Sequence, residues 1–221
     1  PARSGSKSIK DKNIVNFRGR PLLVWSIEQC LKSKQIDEIF LSTNSKKYAA
    51  IAKKFGLKKI IFRPKSISND NSTDYEFIKH FIENVDTNHE VIAHIRPTTP
   101  LRDVKLLDKI IKFFILNKEY SSLRAIHENP ETAYKSFELK GKFLKPLNGV
   151  KKTIDQLNNP RQSFSKTYSA NGYIDLYRKE FILKNKKLFG NKVIGYITPL
   201  TTEIDSLEEL EYLNINEREK K

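Results

Sequence analysis

Residues 39–62 read IFLSTNSKKYAAIAKKFGLKKIIF, and their rhythm decides the fold. Ile39, Phe40 and Leu41 form a short apolar run closed by Ser42 and Thr43, the pattern of a buried strand. Tyr48, Ile51, Ala52 and Phe55 then recur at i, i+3, i+4, i+7, one face of a helix, and Gly56 supplies its C-terminal stop. Leu57–Phe62 predicts the next strand. Toward the N-terminus, Leu23, Ile27, Cys30 and Leu31 predict a helix over 21–34 with Pro21 in its first turn. Toward the C-terminus, Thr73 and Glu76 make a capping box ahead of the stripe Ile78, Phe81, Ile82, Val85. Val91–Ile95 reads as a strand, Leu106, Leu107, Ile110, Ile111 and Phe114 as a helix face, and Ser122–Ile126 as another strand. Strand and helix thus alternate from 21 to 126, which predicts an α/β domain with a mostly parallel sheet and helices on both faces.

After residue 126 the rhythm changes. Tyr134–Leu139 and Phe143–Leu147 flank Lys140–Gly141 and read as a β-hairpin. Strand signals return at Gly172–Leu176 and Val193–Ile197, and Leu207, Leu210 and Leu213 mark a closing helix. No internal repeat and no linker rich in Gly or Pro divides the chain, so residues 1–221 read as one domain, with 127–170 projecting as an arm for dimer and substrate contacts.

With 221 residues the chain can bury a sizeable core. Hydrophobic residues are 38% and mean hydropathy is −0.56, but the apolar positions fall in periodic groups, which excludes disorder. A formal net charge of +15 points to nucleic acid, an anionic membrane or a polyanionic small molecule as partner. The lysines are spread along the chain rather than gathered in one stripe with aromatic residues between, which argues against nucleic acid. No apolar run approaches the ~20 residues of a spanning helix and no signal peptide is visible, so no membrane partner is expected and the cytoplasm is the expected compartment. Cys30 is the single cysteine, which excludes an internal disulfide or a cysteine metal cluster, and it reads as a buried thiol. His80, His89, His94 and His127 form neither a metal set nor a relay, and His94 reads as a core histidine on a strand. Asp70 and Asp74 read as turn or capping residues.

Chemistry concentrates in the loops. Residues 2–13, ARSGSKSIKDKN, place Arg3, Lys7, Lys10 and Lys12 among Ser4, Gly5, Ser6 and Ser8. Small residues let backbone N–H groups approach oxygen while the cations neutralise charge, so the loop can wrap a triphosphate; alone, it reads as well as a solvated surface loop. Such a loop should hang from a buried strand, expected ahead of Pro1. The basic loop, Ser42–Thr43, Arg63-Pro64 and the 96–102 loop all fall at predicted strand ends, where open α/β sheets bind ligands. Glu203 and Asp205 stand two apart; on a strand both would face one side and could meet one ion, and their hard oxygens suit Mg²⁺.

Five segments in order, ARSGSKSIKDKN, FRPKSISND, RPTTPLRD, NPRQ with NGYIDLY, and TEIDSLEEL, resemble the acylneuraminate cytidylyltransferases over residues 1–215. The resemblance implies a Rossmann-like nucleotidyltransferase with a β-hairpin dimerisation arm, a homodimer, CTP as co-substrate and Mg²⁺ as cofactor. It implies activation of a 2-keto sugar acid, sialic acid or a relative such as legionaminic or pseudaminic acid. Arg3, Ser6, Lys7, Lys12, Asn13 and Arg63 would then bind nucleotide, with Arg3 and Lys7 on the phosphates and Arg63 on the base. Arg96, Thr98, Thr99, Lys135, Arg161 and Asn171 match substrate-side positions, and Asp205 with Glu203 matches the metal site. Arg3, Lys7 and Asp205 would carry catalysis. Two positions depart from the family pattern: Arg96 stands where Gln is usual, and Glu203 where Asp is usual. The alternatives are cytidylyl or guanylyl transfer to an eight-carbon KDO-like acid and, in another class, a basic nucleic-acid-binding or non-catalytic nucleotide-binding domain.

Overall fold

A computed structural model describes residues 1–216. A minimal hairpin opens the fold: β1 (Asn16–Phe17) turns through Arg18 and Gly19, at φ +50° and +79°, into β2 (Arg20–Pro21). There follow α1 (Leu22–Lys32), β3 (Phe40–Thr43), α2 (Lys46–Lys54), β4 (Lys59–Phe62), α3 (Asp74–Asn84), β5 (Val91–His94), α4 (Val104–Leu116) and β6 (Ser122–Glu128). The second half holds β7 (Phe137–Lys140), β8 (Phe143–Pro146), α5 (Ile154–Leu157), β9 (Tyr168–Arg178), α6 (Lys179–Asn185), β10 (Val193–Ile197) and α7 (Leu207–Asn216). The Rossmann-like α/β class expected from the sequence is what the chain adopts.

The local signals act as expected. The hydroxyl of Thr73 accepts from the Glu76 N–H while Glu76 reaches back to Thr73, closing the capping box of α3. Ser45 and Asp103 cap α2 and α4 by accepting from the Tyr48 and Leu106 N–H groups. The stripe of α4 buries Leu107, Ile110, Ile111 and Phe114 against Leu123, Tyr173, Ile174 and Leu176. A second core packs Leu23, Val24 and Ile27 of α1 against Leu41, Tyr48, Ala52 and Leu57.

The strand pairing is mixed where a mostly parallel sheet was expected. β3 and β4 pair in parallel as a sheet of their own, and a four-stranded sheet has the order β10-β6-β9-β5. There β10 and β6 are parallel, while the long β9 runs against both β6 and β5. Between β3 and β5 lies a mostly apolar slot of about 300 Å³, lined by Phe40 and Ser42 on one side and by Val91, Ala93 and Ile95 on the other. Pro21 ends β2 and caps α1 instead of sitting in its first turn, and α6 carried no clear signal in the sequence. Residues 203–205 lie in irregular chain, not on a strand: β10 stops at Ile197, and Pro199 follows where the ladder would need a donor. The hairpin β7–β8 pairs only with itself and exposes Leu139, Phe143 and Leu144. Among the described residues no helix is long and apolar enough to cross a membrane.

Candidate active site

The 2–13 loop is rooted on β3. The Ala2 N–H donates to the Ser42 carbonyl at 2.8 Å, and Thr43 Oγ1 donates to the Ala2 carbonyl at 2.6 Å. Buried Asn13 pins the other end by donating from Nδ2 to the Arg3 carbonyl at 2.9 Å, so its amide shapes the loop. Asn44 Oδ1 accepts from the Ser4 N–H at 2.8 Å. Gly5 turns at φ +84° with open space beside it. The hydroxyl of Ser6 lies 3.5 Å from that of Ser8.

Three cations of this loop, Arg3, Lys7 and Lys12, pair with carboxylates from distant segments. Arg3 and Lys7 both reach Asp70, at 2.7 and 2.8 Å, and together hold its carboxyl below the usual range, Lys7 contributing most. Lys12 meets Asp205 at 2.6 Å, joining residues 193 apart in sequence. Beside the loop, Arg63 is buried, donates to the Ser42 carbonyl at 3.2 Å, and lies over the Phe77 ring at 5.2 Å. Its Nε is buried without a partner, and burial, with the nearby Arg3 charge, lowers its pKa to about 10.

The 96–102 loop is built around Arg102. Its guanidinium, buried, donates to the carbonyls of Tyr173 (2.5 Å), Arg96 (2.6 Å), Gly172 (3.0 Å) and Thr99, and to Ser26 Oγ at 3.1 Å. With carbonyl and hydroxyl acceptors around it, burial pulls Arg102 down to about 10. The loop fixes the acidic segment in turn: Ile204 is fully buried and its N–H donates to the Thr98 carbonyl at 2.8 Å. Glu203 consequently packs against Gly172, whose φ is +63°; a Cβ there would stand 2.3 Å from Glu203 Oε1 and 2.7 Å from Thr99 Oγ1. Thr99 Oγ1 is buried with no partner. Burial first, and the Asp205 charge second, raise the Glu203 pKa.

The other positions named from the sequence have internal partners. Arg96 bonds to Asp175 and to Asp74, each at 2.7 Å. Asn171 is buried, donates to Thr198 Oγ1 at 2.6 Å and accepts from the Tyr173 N–H at 3.2 Å. Arg161 reaches Glu128 at 2.8 Å, and Lys135 lies 3.7 Å from Glu131 and over the Phe164 ring at 5.9 Å, both at the foot of the arm. Sequence reading missed the ion-pair roles of Asp70, Asp74 and Asp175. Nothing in the sequence signals a pair between residues 67 or 79 positions apart.

The structure thus brings the basic loop, Arg63, the Thr98–Thr99 turn and the Glu203–Asp205 segment to one rim. The sequence profile of the family described as Cytidylyltransferase matches residues 1–219. The chain belongs to the cytidylyltransferase family. It is 27% identical over 216 residues to the N-acylneuraminate cytidylyltransferase of Escherichia coli O18:K1:H7, covering 96% of this chain and 49% of that protein. It is also 27% identical over 230 residues to the pseudaminic acid cytidylyltransferase of Campylobacter jejuni strain 81-176, covering 97% and 93%. The chain therefore spans about half the length of the first relative and nearly all of the second. The cytidylyltransferase fold is seen in a CMP:2-keto-3-deoxy-manno-octonic acid synthetase complexed with CTP, at TM-score 0.73 and 13% identity over 100% of this chain and 97% of that one.

Proposed function

We propose that this chain transfers the cytidylyl group of CTP to a nine-carbon 2-keto sugar acid of the sialic or pseudaminic type. The observation that supports this reading is the Lys12–Asp205 contact at 2.6 Å, which joins the basic 2–13 loop to the acidic segment. The anomeric hydroxyl attacks the α-phosphorus, the bond to the bridging oxygen of the β-phosphate breaks, and pyrophosphate leaves with that electron pair. Arg3, Lys7 and Lys12 hold the phosphates and neutralise the charge that builds on the leaving group. Arg63 offers its buried, unpartnered Nε–H to a carbonyl of the base. Thr98 and Thr99 face the sugar acid, and Lys135 and Arg161 of the arm supply charge for its carboxylate.

The residues present fit Mg²⁺. Glu203 is held where only a glycine at 172 leaves room, with the orphaned Thr99 hydroxyl beside it. Among the described residues no three His, Cys, Asp or Glu side chains could together hold a metal. Glu203 and Asp205 would therefore hold the ion with substrate oxygens completing its shell, and when bound it supplies charge stabilisation at the α-phosphate. Among the described residues no side chain at the rim is assigned as a general base. The self-paired hairpin, with Leu139, Phe143 and Leu144 exposed, supports a second copy of this chain as partner. The cytoplasm is the proposed compartment.

The test is pyrophosphate release from CTP with eight- and nine-carbon 2-keto acids, alongside thermal shift with CTP, GTP, UTP and ATP. Release with a nine-carbon acid and a shift selective for CTP are expected. Release with none of the acids sinks the reading; release only with an eight-carbon acid moves it to that substrate class.

A further inference from the structure

Arg96 occupies a position that the family resemblance assigns to substrate contact, yet both terminal nitrogens of its guanidinium are engaged. Nη1 meets Asp175 Oδ2 at 2.7 Å and Nη2 meets Asp74 Oδ2 at 2.7 Å. Its own carbonyl accepts from Arg102 at 2.6 Å, so side chain and backbone are clamped together. Asp175 is 3% exposed, stands opposite His94 and Arg124 in the ladders of β9, and has Arg124 Nε 3.3 Å from its other oxygen. Asp74 opens the first turn of α3. An anionic substrate would have to strip Arg96 from a buried carboxylate, which would then lack its bidentate-capable partner.

The two carboxylates belong to different halves of the site. Asp74 lies four residues after Asp70, which carries Arg3 and Lys7 of the phosphate loop. Asp175 lies three residues after Gly172, against which Glu203 is packed. We propose that Arg96 is a positioning residue: it ties α3 to β9 and so fixes the distance between the nucleotide half of the site and the sugar-acid half. This rests on the transfer reaction proposed above, in which two substrates must meet. Misplacing them by about 1 Å costs on the order of 100-fold in rate without altering how either binds alone.

The test is a double-mutant cycle on Arg96→Gln and Asp175→Asn in the full chain. It reads melting temperature, CTP affinity by calorimetry, and kcat and KM with the sugar acid that the wild type turns over. Each single variant is expected to lower kcat about 100-fold while CTP affinity stays within about twofold. The double variant should be no worse than either single one, and Arg96→Lys should not rescue, because an ammonium cannot bridge two carboxylates in a fixed fork. Asp74→Asn removes a carboxylate that is partly in water, so it is expected to fold and to give a smaller loss of the same kind. A rise in sugar-acid KM with Arg96→Gln, and wild-type behaviour in Asp175→Asn, would show that Arg96 reads substrate and overturn the proposal. So would additive effects in the cycle, or a lower melting temperature with unchanged kcat. If the wild type turns over no sugar acid, the reaction falls instead, and the tether stands or falls on whether the melting-temperature shifts are non-additive.

Discussion

Lys7 and Arg102 are both cations at the rim of the site, yet Lys7 has 85% of its side chain in solvent and Arg102 is buried. Around Lys7, the loop cations Arg3, Lys7 and Lys12 meet carboxylates that are themselves accessible: Asp70, and Asp205 at 59% exposure. Around Arg102, the partners are backbone carbonyls of the loop and of β9, together with the buried Asp175 that holds Arg96. Accessible pairs of the first kind contribute little and are screened by salt. A triphosphate, with several charges, can exchange them for its own oxygens. The second kind cannot be exchanged, because removing the cation strands groups that water does not reach. On the proposed reading, the 2–13 loop exchanges its partners when the nucleotide binds, while the 96–102 loop keeps its own.

The sharpest attack on this contrast is Arg102→Met, which keeps the volume and removes the donors. Four carbonyls lose a donor, and with about 1–3 kcal/mol for each group left unsatisfied, partly relieved by relaxation, a loss of at least about 3 kcal/mol follows. Urea unfolding measures it. A loss no larger than that of a surface substitution, about 0.5 kcal/mol, would mean that the loop does not depend on Arg102.

Smaller, and set by pH, is the effect of His94, two residues before Arg96 on the edge of β5. Its ring is buried edge-on to Phe77 at 5.0 Å, with Nδ1 3.4 Å from the Tyr177 hydroxyl. Burial, with the nearby Arg96 charge, holds its pKa well below the usual 6.5. The unfolded chain takes up this proton near 6.5 and the folded chain does not, so the unfolded state binds more protons there. The stability tied to neutral His94 is complete above 6.5 and is lost as pH falls, at about 1.4 kcal/mol per unit. His94→Phe should flatten that slope between about pH 6.5 and 5. Unfolding curves of the two proteins that stay parallel through this window would show that the histidine is protonated in place.

Much of this was legible in the sequence, and for a physical reason: helices, caps and short buried strands are written in neighbouring residues. The stripe of α4 and the Thr73–Glu76 box were readable because i+3 and i+4 partners are near in sequence. The rim loops were readable as polar interruptions at strand ends. The pairing of the strands was not, because periodicity names a strand without naming its neighbour: β5 runs against β9, far downstream, with His94 opposite Asp175. The fate of each basic side chain was also hidden. Arg96 looked free to meet a ligand because Asp175, its partner, sits inside the strand signal Gly172–Leu176, 79 residues away, where nothing local marks it as an ion-pair partner. Glu203 and Asp205 looked like strand neighbours, whereas buried Ile204 between them holds the segment as irregular chain against the Thr98 carbonyl.

The smallest expected effect tests the exchangeable side of the contrast. In Asp70→Asn the carboxylate that occupies both Arg3 and Lys7 becomes neutral at the same volume. Melting temperature should not move, since both lysine and carboxylate are accessible. CTP affinity, measured by calorimetry at low salt, should rise about two- to fivefold, because the phosphates no longer displace an anion, and the gain should shrink as salt is added. Weaker CTP binding would show the reverse: that Asp70 holds Arg3 and Lys7 in the geometry a triphosphate needs, so that the 2–13 loop, like the 96–102 loop, is positioned by its carboxylate and not merely occupied by it.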